Sequence, residues 1–107
     1  MFTRVVEVTT KAGKARELSR TIGEKVLALL RTQPGFVDEI VLISDQTPDR
    51  VLAISFWNTK EDAEKYNRET FPKVNELIRA SIEGTLKVQT FDVEQSTAHR
   101  IAAGKAA

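Results

Sequence analysis

The period of the apolar residues changes repeatedly along this chain, and no other feature of the sequence constrains its fold as strongly. Apolar residues alternate over residues 2–9, 36–44, 51–57 and 85–93, as expected for β-strands with two different faces. Between the first two segments, and again between the last two, they take the spacing of an amphipathic helix. The predicted order is therefore strand, helix, strand, strand, helix, strand. This is the split βαβ order of a ferredoxin-like α+β sandwich with an antiparallel sheet.

Turn and cap residues separate these predicted elements. Gln33-Pro34-Gly35 should end the first helix, because proline lacks a backbone donor and glycine tolerates the turn. Thr47-Pro48-Asp49 predicts a hairpin between the second and third strands. Thr59 is typical of a helix N-cap, and Pro72 should break the helix that follows it. Gly84 is expected to end that helix as a left-handed cap.

Length and charge limit the domain organisation and the partners. The 107 residues allow one domain, predicted over residues 1–95 and followed by a polar, alanine-rich tail over residues 96–107. Sixteen basic and fifteen acidic residues leave a net charge of +1, too little to favour nucleic acid as a partner. Neither a signal peptide nor an apolar run of membrane-spanning length is recognised, so no membrane partner and a cytoplasmic location are expected.

The residue types exclude several kinds of site. Without cysteine the chain offers no thiol nucleophile, no cysteine zinc site and no iron–sulfur cluster, and its single histidine, His99, is poorly suited to hold a metal. We therefore expect neither a metal nor a haem. The aromatic pair Phe56-Trp57 on the third strand resembles the base-stacking residues of RNA-recognition domains, but the glycine–aromatic pattern of those domains is missing.

Apolar residues occur on both sides of the two central predicted strands. Two helices can cover only one face of a four-stranded sheet, so the other face should be buried against a second copy of the chain. The prediction is a homodimer. On the second strand the two predicted sets are Val37, Val41 and Ile43 on one side, and Phe36, Ile40 and Leu42 on the other.

Three motifs carry a resemblance to a known family. Pro34-Gly35-Phe36 precedes a strand, the segment from Phe56 to Ala63 (FWNTKEDA) joins a strand end to a helix start, and a broken helix follows. Over about residues 2–94 the chain resembles the antibiotic biosynthesis monooxygenase family of dimeric α+β barrels. The resemblance implies a small cofactor-independent monooxygenase acting on an aromatic phenol or hydroquinone. Once deprotonated, such a substrate is electron-rich enough to reduce dioxygen, and the protein needs only to bind, deprotonate and shield it.

Such an enzyme needs an apolar cavity with a few donors aimed at an oxyanion, which suggests site residues beside the broken helix and on the first strand. The candidate catalytic residues are Tyr66, Asn75 and Trp57, and the candidate substrate-binding residues are Asn67, Arg79 and Arg4. Four of these residues also have a structural interpretation: Trp57 and Tyr66 as core or interface aromatics, Asn75 and Arg79 as side chains facing water. His99, in the tail, is a weaker catalytic candidate.

The same fold also occurs with two other functions. Haem-degrading relatives use an asparagine on the first strand, a tryptophan on the second helical region and a histidine iron ligand. This chain has Arg4, Tyr66 and a position near Asn75 at those places, which disfavours haem degradation. The alternative that stays open is a non-catalytic dimer of the same fold, which binds a small apolar ligand or, as a stress-related protein, stabilises a partner.

Overall fold

The computed structural model describes residues 1–97, so the predictions for His99 and for most of the tail lie outside the described residues. The long first helix contains a π-helical turn, Ile22–Val26, between two α-helical parts, and the second helical region ends in a 3-10 turn, Arg79–Ser81. None of the helices within residues 1–97 is long and apolar enough to span a membrane. The strands are β1 Phe2–Thr10, β2 Phe36–Ile43, β3 Arg50–Trp57 and β4 Ile82–Asp92, and the α-helices are α1 Ala15–Thr21, α2 Leu27–Leu30, α3 Lys60–Glu69 and α4 Phe71–Ile78.

The four strands form one antiparallel sheet in the order β2-β3-β1-β4. This order places β1 and β3 in the centre and leaves β2 and β4 at the edges. The predicted ferredoxin-like α+β fold is confirmed. The boundary predicted at residue 95 stays a prediction.

The hydrophobic core lies between the helices and one face of the sheet. The apolar stripe of the first helix packs against alternate residues of the central strands, because the helical and strand periods each bring one apolar side inward. Trp57 is the largest fully buried side chain. The other buried apolar residues include Val6, Val8, Leu18, Ile22, Val26, Leu30, Val51, Ala63, Tyr66, Val74 and Ile78.

Two of the predicted turn and cap residues, Gly35 and Thr59, lie where β2 and α3 begin. The Thr59 side chain accepts a hydrogen bond from the Asp62 backbone N–H at 3.1 Å, which confirms the N-cap. Gly35 has a φ of +79°, and a Cβ at this position would overlap the Asp62 side chain. The predicted break is also confirmed, since α3 ends at Glu69 and α4 begins at Phe71, beside Pro72.

Gly84 does not end a helix, so that prediction is wrong. The helical region ends at Ser81, and Gly84 lies inside β4 with a φ of +75°. Glu7 pairs with Lys87 but Thr9 pairs with Glu83, so β4 carries extra residues at this point. The left-handed conformation of Gly84 therefore belongs to a β-bulge and not to a helix cap.

A second bulge corrects the predicted faces of β2. Phe36 pairs with Trp57, whereas Asp38 pairs with Phe56, so Val37 is an extra residue. Phe36 therefore lies on the helix-facing side, with its ring 5.7 Å from that of Trp57. The prediction that Phe36 shares a face with Ile40 and Leu42 is wrong, because an alternation pattern does not reveal a bulge.

The side of the sheet opposite the helices carries an apolar patch that is in part exposed. Ile40, in β2, pairs with Ile54, in β3, which in turn pairs with Val5, in β1. Leu42 is 45% exposed and Phe91 is 49% exposed. We call this side the open face. Its apolar residues are Val5, Ile40, Leu42, Leu52, Ile54, Phe56 and Phe91.

Candidate functional site

A row of polar residues crosses the helix-facing side of the sheet. Arg4 pairs with Ser55 and with Thr90, and Ser55 also pairs with Glu39. Paired residues lie on the same face, so Glu39, Ser55, Arg4 and Thr90 form one line across all four strands. We call this line the polar row. The next line on the same side is apolar and consists of Val41, Ala53, Val6 and Val88.

Arg4 is a buried cation held by aromatic rings. It is 3% exposed, and its guanidinium carbon lies 4.4 Å from the ring centroid of Phe71 and 5.2 Å from that of Tyr66. Its Nη2 donates to Asn67 Oδ1 at 2.8 Å. None of the ion pairs within residues 1–97 includes Arg4, and burial lowers its pKa. Arg4 therefore offers a positive charge that no carboxylate neutralises in this part of the chain.

A half-open cavity lies between the polar row and the helices. Its empty volume is about 410 Å³, including the open mouth, and its enclosed part has room for about three water molecules. The π-helical turn contributes Ile22 and Val26 to one wall; π-turns often occur beside functional sites. The polar lining residues are Arg4, Glu39, Ser55 and Tyr66, and the apolar ones include Leu30, Ala53, Phe71, Val74 and Ile78.

Tyr66 projects from α3 into this cavity. It is buried, and within residues 1–97 its hydroxyl has no hydrogen-bond partner. Burial raises the pKa of Tyr66 to about 12, the Arg4 charge opposes this rise, and Glu39 adds to it. At neutral pH Tyr66 is therefore a neutral hydroxyl, able to donate a hydrogen bond to an anionic ligand but not to act as a base.

Glu39 is a lining residue that the sequence analysis missed. It is half-buried, and burial raises the pKa of its carboxyl group. The neighbouring Asp38 raises this pKa further, and Arg31, at the end of α2, lowers it. A signal was present in the sequence, because Glu39 alternates with Val41 and Ile43, which belong to the helix-facing side of β2.

Trp57 lies behind the cavity rather than in its wall. It is 0% exposed, and its indole Nε1–H donates to Ser55 Oγ at 2.9 Å. Its ring lies 4.9 Å from the ring of Tyr66. Trp57 therefore holds Ser55 and Tyr66 in place. Its packing agrees with its structural interpretation as a core aromatic.

The remaining sequence candidates lie along β4, outside the cavity. Asn67 lines a first shallow groove together with Arg4 and Lys60. Asn75 and Arg79 line a second groove, which meets the first at Val88. Arg79 also pairs with Glu76 at 3.1 Å on the surface. Of the six predicted site residues, the cavity thus brings together Arg4 and Tyr66.

Metal-ligating groups are not clustered in the part of the chain that the structure describes. Across residues 1–97, histidine, cysteine, aspartate and glutamate side chains form no group of three or more that could hold a metal ion.

Known structures share this fold over most of their length. SnoaB, a cofactor-independent oxygenase from Streptomyces nogalater, is 21% identical with a TM-score of 0.73, covering 90% of this chain and 95% of that chain. A Bordetella bronchiseptica protein described as an antibiotic biosynthesis monooxygenase is 13% identical with a TM-score of 0.73, covering 91% and 97%. A conserved protein from Methanosarcina mazei is 16% identical with a TM-score of 0.68, covering 85% and 91%.

The sequence itself assigns the family. No protein of the curated set matches this chain significantly. The family model for antibiotic biosynthesis monooxygenases matches residues 1–71, which include the polar row as far as Ser55, the N-cap of α3 and Tyr66. This match extends over more than half of the chain, and the chain therefore belongs to the antibiotic biosynthesis monooxygenase family.

Proposed function

We propose that this protein is a cofactor-independent monooxygenase that oxidises a small phenol or hydroquinone in the cavity between the helices and the polar row. Membership of the family supports a general monooxygenase-like function on a small molecule. The lining of the cavity supports an ionisable aromatic substrate.

Arg4 is the observation that carries this proposal. A buried cation without an anionic partner is unfavourable, because desolvation penalises its charge. Binding a phenolate would supply the missing negative charge, and charge-assisted hydrogen bonds to it would be strong. The apolar walls at Val74 and Ile78 suit the ring of the same ligand.

The reaction needs no external reductant. A hydroquinone and one dioxygen give a hydroxyquinone and one water, so the substrate supplies all the electrons. Deprotonation makes the ring electron-rich enough to pass an electron to dioxygen. Arg4 and the Tyr66 hydroxyl are assigned the role of holding the oxyanion, and Trp57 keeps Tyr66 in place.

The grooves along β4 give the other sequence candidates a role. The enclosed part of the cavity is too small for a ring, so the ring must displace the half-buried Phe71 or enter from the mouth. Arg4 lines both the cavity and the first groove. A larger substrate would extend along the grooves past Asn67, Asn75 and Arg79.

The proposed assembly is a homodimer, which places the open face against the open face of a second copy. A contact of this kind would bury on the order of 2,000 Å², within the range of stable dimers. A two-fold axis makes the contact self-complementary and limits assembly to two chains. A cytoplasmic location is part of the same proposal.

One observation favours a second candidate, a non-catalytic ligand-binding dimer. The enclosed part of the cavity admits only about three water molecules, which would suit a binding module for a small apolar ligand. Oxygen consumption separates the two candidates, since a binding module consumes none.

The deciding experiment measures oxygen uptake by metal-depleted protein with a panel of benzo- and naphthohydroquinones. We expect uptake above the uncatalysed rate with at least one of them, one dioxygen consumed per substrate, and a reduction of about 100-fold or more in Arg4→Met. Asn75→Ala and Arg79→Ala test whether the substrate also contacts the second groove, which these two residues line. Tight binding without any uptake would favour the non-catalytic candidate.

A further inference from the structure

Glu39 and Arg4 face the same cavity from two different strands without pairing. Glu39 is in β2 and Arg4 is in β1, and both lie opposite Ser55, in β3. Adjacent strands are about 4.8 Å apart, so the two backbones are roughly 10 Å apart. None of the ion pairs within residues 1–97 joins their side chains, although both line the cavity.

Both charges affect the pKa of Tyr66. Arg4 lowers the Tyr66 pKa and Glu39 raises it, so both charges act on the same hydroxyl group. Both side chains line the cavity into which Tyr66 projects, and Ser55 lies between their strands, so a ligand hydroxyl above Ser55 would have the carboxylate on one side and the guanidinium on the other. A carboxylate within hydrogen-bond reach of the hydroxyl can remove its proton, and the guanidinium can stabilise the oxyanion that forms.

We propose that Glu39 is the catalytic base that removes the proton from the substrate hydroxyl, while Arg4 holds the oxyanion that forms. The proton passes from the hydroxyl oxygen to a Glu39 carboxylate oxygen, and the negative charge passes from Glu39 to the substrate oxygen. Net charge in the cavity is unchanged. This inference rests on the proposed function and names the residue that starts its chemistry.

The surroundings of Glu39 suit a base. Burial and Asp38 raise its pKa, against the effect of Arg31, and a higher pKa makes the carboxylate a better proton acceptor. Tyr66 is the titratable group that faces it from α3, and its pKa of about 12 keeps it protonated. Within residues 1–97, Glu39 is the carboxylate that lines this cavity.

The test follows the proton with 4-nitrophenol, whose phenolate is yellow. At mildly acidic pH, the wild-type protein should turn the bound phenol yellow without releasing a proton to the medium, because Glu39 keeps it. In Glu39→Gln, the phenol should either bind without colour or release one proton for each phenolate formed. Calorimetry in buffers of different ionisation enthalpy counts these protons.

The matched control is Asp38→Asn, which removes one carboxylate from the neighbouring residue. Asp38 pairs with Phe56 and so belongs to the open face, and asparagine can still accept the hydrogen bond that Asp38 Oδ1 receives from the Glu39 N–H at 2.9 Å. Because Asp38 helps to raise the Glu39 pKa, we expect this variant to form less phenolate than the wild type, but still without releasing a proton. The proposal is overturned if Glu39→Gln keeps the yellow colour without proton release, if the wild type does not form the phenolate, or if both variants change alike.

The kinetic readout separates this inference from the proposed function. With a hydroquinone that supports oxygen uptake, Glu39→Gln should lower the rate by about 100-fold or more, and raising the pH should restore part of it, because the free substrate then ionises by itself. Phenolate formation by the wild type without oxygen uptake would contradict the proposed function and leave the role of Glu39 intact. Uptake at an unchanged rate in Glu39→Gln would contradict only this inference.

Discussion

Two neighbouring rows of the same sheet reverse the usual distribution of side chains. Glu39, Ser55 and Arg4 form a row beneath the helices, and the row one residue along, Ile40, Ile54 and Val5, lies on the open face. The charged row faces the core, and the aliphatic row faces outward. In a folded protein the opposite arrangement is the usual one.

Each row indicates a different partner. A buried cation without an ion-pair partner destabilises the fold unless a ligand supplies the opposite charge, so Arg4, in the inner row, is the reason for proposing an anionic ligand. Exposed aliphatic residues in one patch favour contact with a second apolar surface, so the outer row is the reason for proposing a dimer. Substitutions on the open face should therefore leave ligand binding intact, and substitutions in the polar row should leave the dimer intact.

The largest effect is expected on the open face. Leu42→Asp would place a carboxylate in the proposed dimer contact, where it has no partner, and should weaken the dimer by about 3–5 kcal/mol per subunit. Leu77→Asp is the matched control, because Leu77 is similarly exposed, 38% against 45% for Leu42, but lies on α4. Sedimentation equilibrium should show monomers or unfolded chains for Leu42→Asp and wild-type dimers for Leu77→Asp. A wild-type monomer, or equal behaviour of the two variants, would contradict the assignment of the open face.

The smallest effect is a pair of pKa shifts at Tyr66, the single tyrosine of the chain. Its absorbance should show little ionisation at about pH 11, where an unperturbed tyrosine is mostly ionised, because its pKa is raised to about 12. The folded pKa lies above the unfolded value of 10.0. The contribution of Tyr66 to the free energy of unfolding is therefore complete below pH 10 and is lost as the pH rises through 12.

The two charges beside Tyr66 should shift its pKa in opposite directions. Arg4→Met should raise the Tyr66 pKa further, and Glu39→Gln should lower it. Shifts in the same direction would show that Arg4 and Glu39 do not act on the Tyr66 hydroxyl as two opposite charges.

Much of the fold could be predicted from local patterns. The strand alternation, the Pro34-Gly35 turn and the break near Pro72 all act within a few residues, so the sequence contains their signals. The bulges at Val37 and Gly84 could not be predicted, because a bulge is defined by the register of two strands that are distant in the sequence. The π-helical turn at Ile22–Val26 was missed because its apolar spacing also suits an ordinary α-helix.

The candidate site was predictable in part for the same reason. Arg4 and Tyr66 were suggested by the family resemblance, and the structure brings them to one cavity. Glu39 was missed because its alternation with Val41 and Ile43 gives only its side of the strand, and its place in the cavity depends also on its pairing with Ser55, which no local pattern contains. Asn75 and Arg79 were grouped with Tyr66 because they lie on the same helical region, but the break between α3 and α4 directs them to a separate groove.

The central claim is that Arg4 is kept buried for an anionic aromatic ligand, and the affinity for two matched ligands tests it most directly. At a pH where 4-nitrophenol is ionised, its dissociation constant is compared with that of its neutral methyl ether, 4-nitroanisole. Emission from Trp57, the single tryptophan, reports binding because its ring lies 4.9 Å from Tyr66. We expect the wild type to prefer the phenolate by at least about tenfold, the effect of one charge-assisted hydrogen bond, and Arg4→Met to bind both ligands equally. Equal affinities in the wild type, or an unchanged preference in Arg4→Met, would contradict the account.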